Sequence, residues 1–201
     1  MLYLAVLYVV FAEERTRILT IFNIQLETER LILRPPSSAD FEEVVKFFAD
    51  EETMHHIGGK ACRSEAWRLW CTLAGSWTIN GFGMFSMIEK SSGKWIGRTG
   101  PWYPADWPGT EVGWAVARDY AGKGYALEAA VASMDYAFET LGWEDVMHCI
   151  NDDNLPSIAL AKRLGSTNRG PARMPKPFQD HPVNNWGQTR TEWQENRKQF
   201  M

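Results

Sequence analysis

The sequence predicts a mixed α/β domain on three observations. Segments of strand-like alternation are interleaved with segments of helical spacing, in the order strand, two helices, three strands, helix, strand, helix, strand. A chain of 201 residues, with no internal repeat and no low-complexity tract, is sized for one sizeable core. A glycine-rich turn, "AGKGYA" (121–126), stands where a strand passes into a helix, the place where bare backbone N–H groups hold anions.

Each element has its own warrant. "IQLETERLILRP" (24–35) alternates through Leu31 and Leu33 and stops at Pro35-Pro36, so it reads as one strand. "SSADFEEVVKFFAD" (37–50) offers capping residues and then Phe41, Val44, Val45 and Phe48 at helical spacing. Residues 63–77 read as a second helix, with Trp67, Trp70, Leu73 and Ala74 on one side. "GMFSMIEK" (83–90) and "KWIGRTG" (94–100) flank the turn "SSG" as a hairpin. The loop 100–109 is dense in Pro and Trp, and "TEVGWAVAR" (110–118) is a strand. Leu127, Val131, Met134, Phe138 and Leu141 then mark a core-facing helix. "DVMHCI" (145–150) is a short apolar strand, and 151–165 is a helix with Pro156 in its first turn and Gly165 at its end. A last strand is expected within 184–193.

Composition excludes several classes. A net charge of −4 argues against a general nucleic-acid binder. The three cysteines, Cys62, Cys71 and Cys149, lack CxxC spacing, so neither a zinc site nor a disulfide framework follows, and a reduced cytoplasmic setting fits best. The apolar run 1–12 is too short to span a bilayer and has no basic residue before it. A buried N-terminal element, an extension from an upstream start codon and a signal-peptide core remain alternatives for it. The domain is drawn at 24–201, with 1–23 as an extension.

The glycine turn admits three phosphate-binding readings. A P-loop needs Lys followed by Ser or Thr, and Lys123 is followed by Gly124. A dinucleotide fingerprint matches Gly122 and Gly124 but has Leu127 where its third glycine belongs. A coenzyme A site asks only for successive N–H groups around Gly122–Ala126 at a helix start, with glycines that let the ligand approach. A tight turn with no ligand is the bland alternative.

"EVGWAVARDYAGKGYALEAA" (111–130), followed by "NDDNLPSIALAKRLGS" (151–166), resembles the GNAT acetyltransferase superfamily. With the opening "LETERLILRPPSSAD" (26–40), it looks like the branch of the RimJ/RimL ribosomal-protein N-acetyltransferases. The resemblance covers roughly 24–195 and implies a twisted mixed sheet with helices on both faces. It also implies acetyl-CoA as co-substrate, an amine acceptor and no metal, with a homodimer from family habit. No membrane or nucleic-acid partner is expected. The family's Q/R-x-x-G-x-G/A frame falls on Ala121, Gly124 and Ala126, and Ala121 departs from it. The implied cofactor contacts are the turn Ala121, Gly122, Lys123, Gly124, Tyr125 and Ala126, and the strand end Val116, Ala117 and Arg118. Asn151, Asn154 and Ser157, spaced N-x-x-N-x-x-S, resemble the asparagine–serine motif that the family places near the pantetheine and thioester. Helix capping explains Asn151 equally well, whereas the functional reading is preferred for Asn154 and Ser157.

Transfer from a thioester to an amine requires a neutral amine and a base to take its proton. Glu111, at the start of the cofactor strand on the face of Gly113 and Ala115, is the expected base, and a solvated edge charge is its plain alternative. Ser157 is the expected acid or orienting group. His148 reads as a satisfied core histidine. His55 and His56 fall where the acceptor site forms in the family. The 100–109 loop, Trp67, Trp70 and Trp77 are candidates for an aromatic acceptor cleft. Direct attack is expected, and the rival class is a non-catalytic acyl-CoA-binding sensor.

Overall fold

The computed structural model describes residues 24–201, and the run 1–12, with the rest of 1–23, lies outside the described residues. Eight strands form one mixed sheet in the order β1-β2-β3-β4-β5-β6-β8-β7. They are β1 (Leu26–Glu27), β2 (Leu31–Arg34), β3 (Phe85–Glu89), β4 (Trp95–Trp102), β5 (Glu111–Val116), β6 (Asp145–Ile150), β7 (Thr167–Ala172) and β8 (Val183–Thr189). All neighbours are antiparallel except β5 and β6.

The first strand differs from expectation. Thr28–Arg30 make a turn that folds β1 back on β2, pairing Leu26 with Leu33. The Thr28 N–H donates to the Leu31 carbonyl. A two-residue strand gives alternation too short a run to reveal the break.

The helices are α1 (Phe41–Ala49), α2 (Glu51–Met54), α3 (Arg63–Asn80), α4 (Tyr125–Asp135), α5 (Leu155–Arg163) and α6 (Arg190–Asn196). Ser37 and Asp40 form a capping box that starts the turn leading into α1. Asp40 is buried and bound by both Arg34 guanidinium nitrogens, at 2.9 and 2.6 Å, and by the Ser86 hydroxyl at 2.8 Å. α3 ends at Gly81, whose φ of 77° is the left-handed C-cap geometry.

Helices cover both faces. α1 and α3 pack Val44, Phe47, Phe48, Trp70 and Leu73 onto Ile88, Trp95, the small Ala115 of β5 and Ala117 just beyond it. On the other face α4 and α5 press Ala130, Met134, Leu160 and Leu164 onto Val112 and Val146, with Trp193 of α6 closing the edge. The expected division of β5 therefore holds, with Val112 toward α4 and the small residues toward α1 and α3. Among the described residues no helix is long and apolar enough to cross a membrane.

Candidate active site

β5 and β6 meet and then part. Their single register pair is Glu111 with Met147, held by the Met147 N–H donating to the Thr110 carbonyl at 2.9 Å. The Thr110 hydroxyl adds a 2.6 Å bond to the Asp145 carbonyl. Continued parallel pairing would next join the Cys149 N–H to the Val112 carbonyl. Instead each group finds a side chain. The Cys149 N–H donates to Glu111 Oε1 at 3.3 Å, and the Val112 carbonyl lies 2.7 Å from His148 Nδ1. A carbonyl only accepts, so Nδ1 carries the proton, and Nε2 accepts from the Ser166 hydroxyl at 3.1 Å. The strand separation is thus capped on both sides.

The pairing of β5 with β4 fixes which backbone groups face the gap. The Ala117 N–H donates to the Ile96 carbonyl, so residues 111, 113, 115 and 117 spend their backbone groups on β4. By alternation the N–H and C=O of Trp114 and Val116 point toward the gap. Val116 is one of the positions expected to hold a cofactor.

Beside the gap lies a cleft of about 540 Å³ under α1 and α3. Glu111, Arg98, Gly113, Trp102, Trp107 and Cys149 are among its lining residues, and Asn151, Asn154 and Ser157 reach it from the far side. Glu111 is only 8% exposed, so the solvated edge charge does not hold. Burial pushes its carboxyl up to about 7, against hydrogen bonds from Trp107 Nε1 (2.5 Å) and from Cys149, and against the pull of the Arg98 guanidinium. A carboxylate held near neutrality serves as a proton acceptor at physiological pH. The Cys149 thiol is pushed up by burial and by Glu111, which keeps it protonated and a poor nucleophile.

The other expected residues take the following places. Asn154 caps α5, its side chain accepting from the Ser157 N–H at 3.2 Å. The Ser157 hydroxyl accepts from Trp114 Nε1 at 3.3 Å across the gap. The Asn151 side chain donates to the Pro182 carbonyl and accepts from the Asp153 N–H, which fixes the loop.

The glycine turn lies at the other end of β5. Gly122 and Gly124 have φ of 72° and 83°, a region closed to most side chains. The Ala121 N–H donates to the Arg118 carbonyl and the Glu128 N–H to the Gly124 carbonyl. Among the described residues, none of the backbone N–H groups between them, from Gly122 to Leu127, has a protein acceptor. That run, covering Lys123, Tyr125 and Ala126 as well, is a ready anion cradle at the start of α4 and fits a phosphate-bearing ligand. Arg30 braces it by donating to the Lys123 carbonyl and pairing with Glu128. Arg118 is held by Asp50 at 2.6 Å, and Lys123 sits 5.4 Å from the Tyr120 ring centroid. No group of three or more His, Cys, Asp or Glu side chains is gathered for a metal among the described residues.

The acceptor-cleft expectation needs a correction. Trp70 and Trp77 are core residues, 3% and 0% exposed, and Trp67 packs on Phe41 at the surface. Helical spacing put them together because α3 buries that stripe against the sheet. The 100–109 loop does line the cleft as expected, through Trp102 and Trp107, joined by Trp114 and Phe178, with His55 and His56 at the rim.

Residues 30–167 match the model of the GNAT acetyltransferase domain, well over half the chain. The chain belongs to the GNAT acetyltransferase family. It is 28% identical to the N-acetyltransferase p20 of Bacillus licheniformis over 149 residues, 72% of this chain and 83% of that one. It is 33% identical to the N-acetyltransferase YnaD of Bacillus subtilis over 60 residues, 30% of this chain and only 35% of that relative. An acetyltransferase structure from Agrobacterium tumefaciens superposes with a TM-score of 0.71 at 30% identity, covering 82% of this chain and 94% of that one.

This GNAT domain also carries residues that sequence reasoning missed. Arg98 sits mid-strand in "KWIGRTG", where it looks like an ordinary hairpin charge. Trp107 was one of several aromatics in a loop. His148 was read as a satisfied core residue, which it is at 2% exposure, but its capping of the strand separation had no sequence signal.

His148 also sets an acid limit on stability. Burial pushes its imidazole down to about 4, so the fold favours the neutral ring. The unfolded chain takes up a proton near pH 6.5 and the folded chain does not, so stability falls as pH drops from about 6.5 to 4. The expected loss is about 3 kcal/mol by linkage. Urea unfolding of wild type and His148→Gln across this range checks it, the variant showing a shallower decline.

Proposed function

We propose that this chain is an acetyl-CoA-dependent N-acetyltransferase that moves an acetyl group to a primary amine by direct attack. The observation that carries the reading is Glu111, a desolvated carboxylate held near neutral pH where β5 and β6 part. Acetyl-CoA supplies a thioester acyl donor when bound. The N–H run from Gly122 to Ala126 would hold its pyrophosphate, and the open edge of Trp114 and Val116 would hold its extended arm, with the Ala117 backbone turned to β4. Glu111 accepts the amine proton, and Ser157, ordered by Asn154 and Trp114, orients or protonates the departing sulfur. Cys149 forms no acyl-enzyme in this scheme.

The catalytic unit is 24–201, acting in the cytoplasm on a peptide N-terminus or a small-molecule amine. The similarity of 26–40 to the RimJ/RimL branch supports an α-amine, whose pKa near ~8 leaves part of it neutral at pH 7.

Thermal unfolding with acetyl-CoA, and separately with NAD, tests the cofactor. At ligand near 100 times Kd, linkage gives roughly 2.7 kcal/mol and a Tm shift of about 5–11 °C. A shift with acetyl-CoA alone is the expected result. No shift with saturating acetyl-CoA on folded protein overturns the proposal.

A further inference from the structure

The cleft holds a cation that the acetyl-transfer scheme does not use. Arg98 stands on β4 opposite Ala115 of β5, on the face covered by α1 and α3. Its Nε is shut off from solvent and has no hydrogen-bond partner, and Nη1 meets only the Met84 sulfur at 3.1 Å. A thioether is a weak acceptor, and a guanidinium has five N–H donors to satisfy. No salt bridge engages Arg98 among the described residues. Asp40, the buried carboxylate on the neighbouring element, is already taken by Arg34, the Ser37 N–H and Ser86. Among the described residues, Glu111 is the charge that acts on Arg98. Lys176, Asp153, His55, His56 and His181 also line the cleft but are exposed at its rim.

The floor between the two groups is a glycine covered by the flexible Met84 side chain, which a ligand joining them would have to move aside. Gly113 lies between Glu111 and Ala115, and a Cβ there would meet Met84 Cε at 2.6 Å. Glu111 pairs with Trp102, four residues along β4 from Arg98. At ~3.3 Å per residue the two backbones are roughly 13 Å apart, with both side chains facing the same small cleft.

We propose that the acceptor is a small amine carrying a carboxylate, an amino acid or short amino-carboxylate, whose carboxylate pairs with Arg98 while its amine faces Glu111. This rests on the acetyl-transfer reading for the role of Glu111. A planar guanidinium fork matches a carboxylate in two parallel hydrogen bonds, and a buried Nε–H without an acceptor is costly to keep. In the reaction the amine nitrogen bonds to the acetyl carbon, the carbon–sulfur bond breaks, the nitrogen's proton goes to Glu111, and the thiolate leaves as CoA. The acceptor carboxylate is unchanged throughout.

The test compares each of the common amino acids with its amide and its decarboxylated amine, on wild type, Arg98→Met and Arg98→Lys. Transfer is read as CoA release and binding by calorimetry. Wild type is expected to favour the carboxylate form about 10–100-fold, as a charge-assisted bond implies. Arg98→Met should reduce that preference below about 3-fold, chiefly through KM, and Arg98→Lys should restore part of it. Equal losses for all three acceptor forms would make Arg98 a positioning group for Glu111 and overturn the proposal, as would a wild-type preference for amides. Should Arg98→Met fail to fold, the preference of wild type and of Arg98→Lys decides alone. Calorimetry separates this from the reading beneath it: carboxylate-dependent binding without CoA release upholds the ligand class and sinks the acetyl transfer.

Discussion

Glu111→Gln is expected to lower acetyl transfer by about 10²–10⁴-fold, the range removed with a general base. The substitution keeps the shape but has one acceptor oxygen for two donors, Trp107 Nε1 and the Cys149 N–H, so a melting curve on the variant must accompany the rate to show that the loss reports chemistry and not collapse. Wild-type kcat/KM should rise with pH and level off above about 7, where Glu111 is ionised; the variant should lose that limb. Stability moves the opposite way. The folded pKa lies above the unfolded one, so the fold favours the neutral acid, and this advantage is lost as pH rises through about 7. The wild type should therefore lose on the order of 3 kcal/mol as pH rises from about 4.5 to 7, and the glutamine variant should lack that decline. An inactive variant whose stability no longer depends on pH in this range is the combined signature of a buried base. Full activity in Glu111→Gln would remove Glu111 from the mechanism.

Trp77→Ala is expected to cost about 3–5 kcal/mol, the range for deleting a large buried aromatic. Trp77 is fully buried, packs edge-on to Phe85 at 4.9 Å between ring centroids, and donates from Nε1 to the Met84 carbonyl at 3.0 Å. Gly83 passes so close that a Cβ there would lie 2.9 Å from the indole. Truncation leaves a cavity and an unsatisfied buried carbonyl together, at the point where β3 begins and Met84 reaches Arg98. Urea unfolding should show the loss as a lower midpoint at unchanged m-value, and melting as a drop of about 6–20 °C. Trp77→Phe, which keeps most of the volume, should lose less than half as much. An alanine variant within 1 kcal/mol of wild type would mean that this cluster does not hold the sheet to α3.

The parts of this protein that local chemistry determines were legible before any coordinates. The strand 111–116, the glycine turn and α4 follow from alternation, positive-φ glycines and a stepped apolar stripe, all read within a few residues. Glu111 stands out as a candidate base because a carboxylate among Gly and Ala leaves few roles. What the sequence hid is set by distance along the chain. Burial of Glu111 depends on Trp107 and on Cys149, 38 residues away. Arg98 carries no mark of facing a cleft, since alternation says which residues share a face but not what covers it. Trp70 and Trp77 have the composition of a binding surface and the place of a core, and only the packing of α3 decides between them.

The capped separation of β5 and β6 has a kinetic consequence. The rung that would join Cys149 to Val112 is replaced by Glu111 and His148. A molecule entering the gap severs no sheet bond. None of its binding free energy goes into prising strands apart, and no slow opening step stands ahead of encounter. The wedge is cut into the chain during folding, and His148 keeps it from closing.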